Sequence, residues 1–147
     1  MQNLAETSTS KRVKQIARAL SNNLEGVSID IANVDGSAVS TFDPKTNTIT
    51  LDPNTGMTVH SVLHEATHGA TVNILNNKSS PVTKQLNVLY NDVKPYLDTA
   101  YGAQNLNDFV AEAFSNPVFQ RKLASINPKG EKINALQRFL RTVTNLV

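Results

Sequence analysis

Residues 60–69 read His-Ser-Val-Leu-His-Glu-Ala-Thr-His-Gly, and they contain all three histidines of the chain. His64 and His68 are four positions apart, and Glu65 directly follows the first of them. On a helix, side chains four positions apart lie on one face about one turn apart, so both imidazoles can reach one cation. Glu65 lies about 100° further round, beside the coordination position that the ion leaves open. The spacing therefore predicts a helix with two metal ligands and an adjacent base.

The apolar residues around the motif also follow helical spacing, and we expect them to face the core, opposite His64 and His68. They are Val59, Val62, Leu63, Ala66, Ala70 and Ile74. The simpler interpretation is a helix whose two histidines are partly exposed or satisfied in the core, and we favour it less because the spacing suits one ion. His60 lies one turn back on the same face, where it is a ligand, a substrate hydrogen-bond donor or a residue without a role.

A third metal ligand must come from another segment, because a catalytic zinc ion has three protein ligands and keeps one position for water. The chain has no cysteine, so an acidic residue is the expected donor. The acidic candidates downstream are Asp92, Asp98, Asp108, Glu112 and Glu131.

Asp108 and Glu112 stand out among these acids because they share one face of a predicted short helix, opposite an apolar face. One acid can bind the ion while the other accepts the second ring N–H of a ligand histidine. Spacing alone does not assign the two roles. The simpler alternative is that Asp108 is favoured at a helix N-terminus by the helix dipole and that Glu112 faces solvent.

The remaining periodicity predicts an α+β fold. Residues 11–24 form a predicted amphipathic helix, which Gly26 ends. Short alternating or β-branched runs predict three strands, of which the last two form a hairpin. These runs are 27–31, 39–42 and 48–51.

Proline after serine or asparagine marks several of the predicted helix starts, because proline suits the first helical position. Helices should begin near Met57, Pro81, Pro117 and Pro128, with a shorter one over 107–115. Pro95 should kink or end the second of these helices, since it removes a backbone hydrogen bond. The last helix should present one apolar stripe, which consists of Ile133, Leu136, Leu140, Val143 and Val147.

Length and charge add weaker constraints. A chain of 147 residues predicts one domain over 1–147, with enough sequence for a hydrophobic core of its own. No run approaches the ~18 apolar residues of a membrane span, and the N-terminus does not resemble a signal peptide, so we expect no membrane partner.

Residues 117–147 carry six cations and one acid. Without aromatic interleaving or a recognised motif, this basic segment favours a solvated helix face over nucleic-acid binding.

The motif His64-Glu65-x-x-His68 resembles the active-site helix of zincin metallopeptidases, specifically the gluzincin type with two histidines and an acid on zinc. In that type, a later helix carries an acidic ligand and a second acidic residue four positions further on. Residues 108–112, which begin with Asp108 and end with Glu112, resemble this pattern. Residues 63–69 and 109–117 also resemble metallopeptidase domains within very large phage-encoded polyvalent proteins. The resemblance covers roughly residues 45–120, about half of the chain.

This resemblance implies a single minimal metallopeptidase-like domain, in which a small three-stranded sheet packs on the active-site helix and several further helices follow. It implies Zn²⁺ bound by His64, His68 and Asp108. Asp108 replaces the usual glutamate and is one methylene shorter, so Glu112 stays the alternate third ligand. Larger relatives have a second lobe, which leaves room for this chain to be one domain of a larger polypeptide or a processed fragment.

The resemblance further implies hydrolysis of a peptide or protein substrate, with Glu65 as general base for a zinc-activated water. An edge strand at Thr48–Leu51 would pair with the extended substrate. The oxyanion donor stays open among Tyr90, Tyr96, Tyr101 and His60. The location also stays open, with the cytoplasm or a virion expected. The alternative function is a non-catalytic structural or interaction domain that retains a zincin fold.

Overall fold

The computed structural model of the chain describes residues 22, 24–34, 36 and 39–144. These residues form an α+β fold in which three strands precede five α-helices, as predicted. The strands are β1 (Ser28–Ile31), β2 (Ser40–Asp43) and β3 (Thr48–Leu51). The helices are α1 (Val59–Asn76), α2 (Pro81–Val93), α3 (Leu106–Ser115), α4 (Pro117–Ala124) and α5 (Ala135–Thr144), and short 3₁₀ segments lie at Lys94–Tyr96, Tyr101–Ala103 and Pro128–Gly130.

The three strands form one mixed sheet in the order β1-β3-β2. The β2–β3 pair is antiparallel, which confirms the predicted hairpin, and β1 lies parallel to β3. The expectation that Thr48–Leu51 is an edge strand is wrong. The parallel register aligns Ile29 with Ile49 and Ile31 with Leu51, so β1 occupies the side of β3 that a substrate would need. The edge beside the candidate site is therefore β2.

Helix α1 is held between the sheet and α3. Thr58 caps its N-terminus by accepting a hydrogen bond from the N–H of Ser61. On the sheet side, Ala66 packs in a small core with Ile49 and Leu51. Gly69 lies against the sheet, where an added Cβ would be in van der Waals contact with the Phe42 side chain at 3.4 Å.

The predicted core-facing stripe of α1 is partly wrong. Val59 is 76% exposed, although it belongs to that stripe, whereas His64 is only 6% exposed. The physical reason is that α3 covers the face that carries the histidines, so the polar side of α1 is as buried as its apolar side. Periodicity identifies an apolar face, but it does not reveal that a second element covers the polar one.

A larger core lies between α2, α3, α4 and α5 and fixes the position of α3. Phe109 is fully buried at its centre and makes edge-to-face contacts with Phe119 and Phe139, at centroid distances of 5.9 and 6.1 Å. Leu86, Leu89, Val93, Leu123 and Val143 complete the buried centre. Among the described residues, no helix combines the length and the apolarity that crossing a membrane requires.

Most helix boundaries follow the predicted signals, and one does not. Pro81 and Pro117 begin α2 and α4, and Pro95 lies in the 3₁₀ segment that ends α2. Pro128 opens only a 3₁₀ turn, because Gly130 adopts a positive φ of 65° and breaks the helical run. The predicted helix over 11–24 lies mostly outside the described residues.

Helix α5 begins instead after Asn134. The Asn134 side chain accepts a hydrogen bond from the N–H of Gln137, and the Gln137 side chain accepts one from the N–H of Asn134, both at 2.9 Å. This reciprocal arrangement is a capping box, which satisfies two backbone donors that a helix start leaves unpaired. The predicted stripe of the last helix is partly wrong, because α5 buries Ala135, Phe139 and Val143, whereas Leu136 and Leu140 are half-buried and Ile133 precedes the helix. Val147 lies outside the described residues.

Gly102 lies where the segment Tyr101–Ala103 contacts α4. A Cβ at this position would lie 2.6 Å from the ring of Phe119, well inside packing distance. We expect Gly102→Ala to lower the free energy of unfolding by about 1–3 kcal/mol, as overpacking does, in urea denaturation. The loss should be smaller when the same change is made in a Phe119→Leu background. An equal loss in both backgrounds would show that the ring contact is not its cause.

Candidate metal centre

The candidate site lies where the histidine face of α1 meets the acidic face of α3. His64, Asp108 and Glu112 are 6%, 8% and 4% exposed, so imidazole and carboxylate groups are buried together. Buried polar groups of this kind need partners, because their separation from water is otherwise costly. Every such side-chain atom among the described residues has a hydrogen-bond partner. The two segments that the sequence singled out are therefore brought into direct contact.

Glu112 is the best-connected side chain of the site. Its Oε1 lies 2.9 Å from both His60 Nε2 and His64 Nδ1, and its Oε2 accepts a hydrogen bond of 2.7 Å from Asn116 Nδ2. Burial alone would raise the pKa of Glu112, but hydrogen bonds from His64, Asn116 and His60 lower it to about 2. Glu112 is therefore ionised at neutral pH and can only accept hydrogen bonds.

This charge fixes the tautomer of His64. Because ionised Glu112 has no proton to give, the 2.9 Å contact requires the hydrogen to be on His64 Nδ1. The other ring nitrogen of His64, Nε2, lies 3.1 Å from His68 Nε2. Burial, followed by the neighbouring His64, lowers the pKa of His68, which favours the neutral form of this imidazole. Two ring nitrogens thus converge as they would around one ion.

Asp108 approaches the same point from α3. Its Oδ1 lies 3.4 Å from His68 Nε2, and its Oδ2 accepts a hydrogen bond of 2.6 Å from Asn105 Nδ2. Asn105 is also the N-cap of α3, because its Oδ1 accepts the N–H of Asp108 at 2.9 Å. One asparagine therefore begins the helix and orients the carboxylate.

Glu65 lies on the side of α1 that faces β2. The Ser40 hydroxyl donates a hydrogen bond of 2.8 Å to Glu65 Oε1. Burial raises the pKa of Glu65, and the Ser40 hydrogen bond and the nearby His64 oppose this effect. Glu65, His68 and Asp108 line one open cavity of about 440 Å³. A carboxylate with a raised pKa thus shares its cavity with His68 and Asp108.

Among the described residues, two groups of three side chains have ligand atoms within 4.8 Å of one another. One group is His64, His68 and Asp108, and the other is His60, His64 and Glu112. Both combine two imidazoles with one carboxylate, a donor set that suits a divalent transition-metal ion such as zinc. The described part of the chain therefore positions buried His, Asp and Glu side chains that can hold a metal ion.

The other acidic candidates lie elsewhere. Asp92 Oδ2 and Glu131 Oε1 lie 3.1 and 3.5 Å from Arg138 Nη1, at the α2–α5 contact. Asp98 is exposed, and its carboxylate lies 3.8 Å from Lys122 Nζ. Only Asp108 and Glu112 of the five predicted candidates face the histidines in the described structure.

The three tyrosines that were candidate oxyanion donors lie in different surroundings. The buried Tyr90 hydroxyl donates to the carbonyl of Ala103 at 2.7 Å, which is a structural contact. Tyr96 lines neither of the two cavities at the site. Tyr101 lines both, and its ring centroid lies 5.6 Å from that of His64. Burial, followed by the nearby Asp108 and Glu65, raises the pKa of Tyr101, so its hydroxyl stays protonated and can donate.

Sequence reasoning missed three supporting residues, namely Ser40, Asn105 and Asn116. Asn116 is the N-cap of α4, since its Oδ1 accepts the N–H groups of Val118 and Phe119, and its Nδ2 donates a hydrogen bond to Glu112. Asn105 had a detectable signal, because asparagine three positions before an acid is a capping pattern. Ser40 had none, since its contact with Glu65 spans 25 residues and depends on how the sheet packs.

Comparison with known proteins adds no further constraint. None of the protein-family models, curated proteins or solved structures compared with the chain matches it. The interpretation of the site therefore depends on its residues, their distances and their protonation states.

The hydrogen bonds of Glu112 predict a pH dependence of stability. Its pKa of about 2 lies below the ordinary 4.5, so ionised Glu112 stabilises the fold above about pH 4.5 and this contribution is lost as the pH falls towards 2. Glu112→Gln should lower the free energy of unfolding at pH 7 by about 1–3 kcal/mol in metal-free protein. Its stability should also decline less steeply between pH 4.5 and 2 than that of the wild type.

Urea denaturation at a series of pH values measures both effects. Glu25→Gln is the matched control, because the same chemical change is made at an exposed position. A Glu112→Gln profile parallel to that of the wild type would contradict the assignment of this pH dependence to Glu112.

Proposed function

We propose that this protein is a zinc-dependent metallopeptidase in which Glu65 acts as the general base. The observation that supports the proposal most is the convergence of ligand atoms of His64, His68 and Asp108, beside a cavity that His68, Asp108 and Glu65 line. Zinc in a catalytic site takes three protein ligands and leaves a position open for water. The donor set fits this requirement, and the resemblance to gluzincins points to the same chemistry.

We assign zinc to His64, His68 and Asp108, and we assign Glu112 to the positioning of His64. With its proton on Nδ1, His64 offers the Nε2 lone pair to the ion and donates its other ring N–H to Glu112. To bind the ion held by His64 and His68, the Glu112 carboxylate would have to move away from the His64 Nδ1–H, from which it accepts a hydrogen bond. The hydrogen bond from His64 to Glu112 therefore favours Asp108 as the third ligand.

A bound zinc ion would lower the pKa of a water molecule at its open position and polarise the scissile carbonyl. Glu65 then accepts a proton from that water and delivers it to the leaving amine, which requires a carboxylate that can hold a proton transiently. Burial raises the pKa of Glu65 in this direction. The Ser40 hydroxyl, 2.8 Å from Oε1, orients the carboxylate.

Tyr101 is the residue that we propose as the second donor to the developing oxyanion. Its hydroxyl is protonated at neutral pH, and its ring lies beside His64 at the wall of both cavities. A hydrogen-bond donor held ready at this position stabilises negative charge in the transition state without reorganisation. Tyr90 is excluded from this role by its hydrogen bond to Ala103.

The edge strand β2 is the proposed binding surface for an extended peptide. Ser40, Thr41 and Phe42 line the cavity that Glu65 and His68 also line, and within the described part of the chain β2 pairs only with β3. The backbone groups of the other edge can pair with a substrate strand, which supplies affinity without sequence specificity. This proposal moves the substrate from Thr48–Leu51 to Ser40–Asp43.

The ligand assignment predicts how metal content responds to substitution. Purified wild-type protein should contain one tightly bound zinc ion per chain, measured by emission spectroscopy. His64→Ala and Asp108→Ala should lose that ion, whereas Glu112→Gln should retain it with affinity reduced about 10–100-fold, as for other carboxylates that orient a ligand histidine. Loss in Glu112→Gln together with unchanged affinity in Asp108→Ala would reverse the two roles.

The general-base assignment predicts a separation of binding from catalysis. Glu65→Gln should retain stoichiometric zinc but reduce cleavage of a quenched fluorescent peptide library by about 10²–10⁴-fold. Glu25→Gln, at an exposed position, should cleave like the wild type. Unchanged cleavage by Glu65→Gln would remove this residue from the mechanism. Zinc binding without cleavage by the wild type would favour the alternative, a non-catalytic interaction domain.

A further inference from the structure

The second group of potential ligands lies on the other side of the His64 ring from His68. His60 Nε2 and His64 Nδ1 each lie 2.9 Å from Glu112 Oε1, whereas His64 Nε2 faces His68. A neighbouring cavity of about 400 Å³ opens here and is lined by His60, His64, Glu112 and Asn116, none of which lines the cavity of His68 and Asp108. The ring of His64 thus separates two places where imidazole and carboxylate atoms converge.

We propose that His60 and Glu112 form a second, weaker binding position for a divalent transition-metal ion, and that an ion bound there inhibits the enzyme. The binding claim rests on the geometry of these residues alone. The inhibition claim rests on the proposed peptidase function.

Access favours binding at this position. The His60 side chain is 48% exposed, so a hydrated ion can reach Nε2 from solvent without a change in the fold. The carboxylate of Glu112 is held in place by Asn116, which bonds Oε2 and leaves Oε1 to face the two histidines. Imidazole nitrogen with carboxylate oxygen suits zinc, and the remaining positions can be filled by water.

Affinity should be lower here than at His64, His68 and Asp108. The ligand atoms of His60, His64 and Glu112 lie within 4.8 Å of one another, but the nitrogen that His64 presents to this side carries the proton donated to Glu112. An ion must either forgo His64 and bind through two side chains or displace that proton. A site with fewer available lone pairs binds more weakly.

The two positions should oppose each other because they share contacts. Glu112 Oε1 orients His64 through its Nδ1 proton, and an ion on that oxygen weakens this contact. Loss of such an orienting carboxylate contact typically reduces metal affinity or activity about 10–100-fold. Ser40, Glu65 and Tyr101 line both cavities, so an ion beside Glu112 also changes the surroundings of the proposed base and oxyanion donor.

A zinc titration of the full chain, monitored by calorimetry with a competing chelator, tests the binding claim. We expect two classes of zinc site in the wild type. His60→Ala should remove the weak class and keep the tight one, and His68→Ala should do the reverse. The chain has only three histidines and no cysteine, so a weak class lost with His60 identifies the position. One class in the wild type, or a weak class that persists in His60→Ala, would overturn the proposal.

The inhibition claim is tested by the ratio of peptide cleavage rates at excess zinc and at one equivalent, taken within each variant. In the wild type, the cleavage rate at excess zinc should be about tenfold lower than the rate at one equivalent. In His60→Ala the two rates should be nearly equal. A ratio that falls equally in both would overturn inhibition through this position. If the wild type cleaves nothing at any zinc concentration, the proposed peptidase function and the inhibition both fail, and the calorimetric result still decides whether the second position exists.

Discussion

One buried carboxylate, which is shared between two imidazoles, joins α1 to α3 at the candidate site. Glu112 gives a single oxygen to His60 and His64, and without these partners its charge could not remain between the two helices. The same contact sets the His64 proton on Nδ1 and thereby frees Nε2 for an ion. The polar contact between the two helices, the His64 tautomer and the ligand geometry therefore all involve Glu112 Oε1. A change at Glu112 acts on all three, which is why its effects must be measured separately from those of Asp108.

The two hydrophobic cores formed by the described residues position different helices. The larger core around Phe109 and Phe139 fixes α3, while the small core of Ile49, Leu51 and Ala66 fixes α1 on the sheet. The site lies between them, so each helix is positioned by apolar packing outside the site and needs few polar contacts for its own stability. Imidazoles and carboxylates can then be held at distances that suit an ion, because the surrounding apolar contacts offset the cost of their burial.

The sequence predicted the chemistry-bearing residues better than their surroundings. Helical periodicity placed His64 and His68 on one face and Asp108 and Glu112 on another, and the structure brings these faces together. Long-range pairing was not predictable: the position of β1 beside β3, and with it the Ser40 contact to Glu65, depends on sheet packing rather than local pattern. The burial of the polar face of α1 was missed for the same reason. The roles of zinc, Glu65 and Tyr101 stay predictions.

Asn116 shows how tightly such a small site constrains the chain around it. Its side-chain oxygen Oδ1 accepts hydrogen bonds from the first N–H groups of α4, and its side-chain nitrogen Nδ2 donates one to Glu112. The residue must therefore accept on one side and donate on the other. Serine or aspartate would begin the helix equally well. Aspartate would set a second negative charge against Glu112, and serine is too short to span the same gap. An ordinary helix start thus becomes a position that needs a side-chain amide, because a carboxylate on the preceding helix restricts which residue can cap α4.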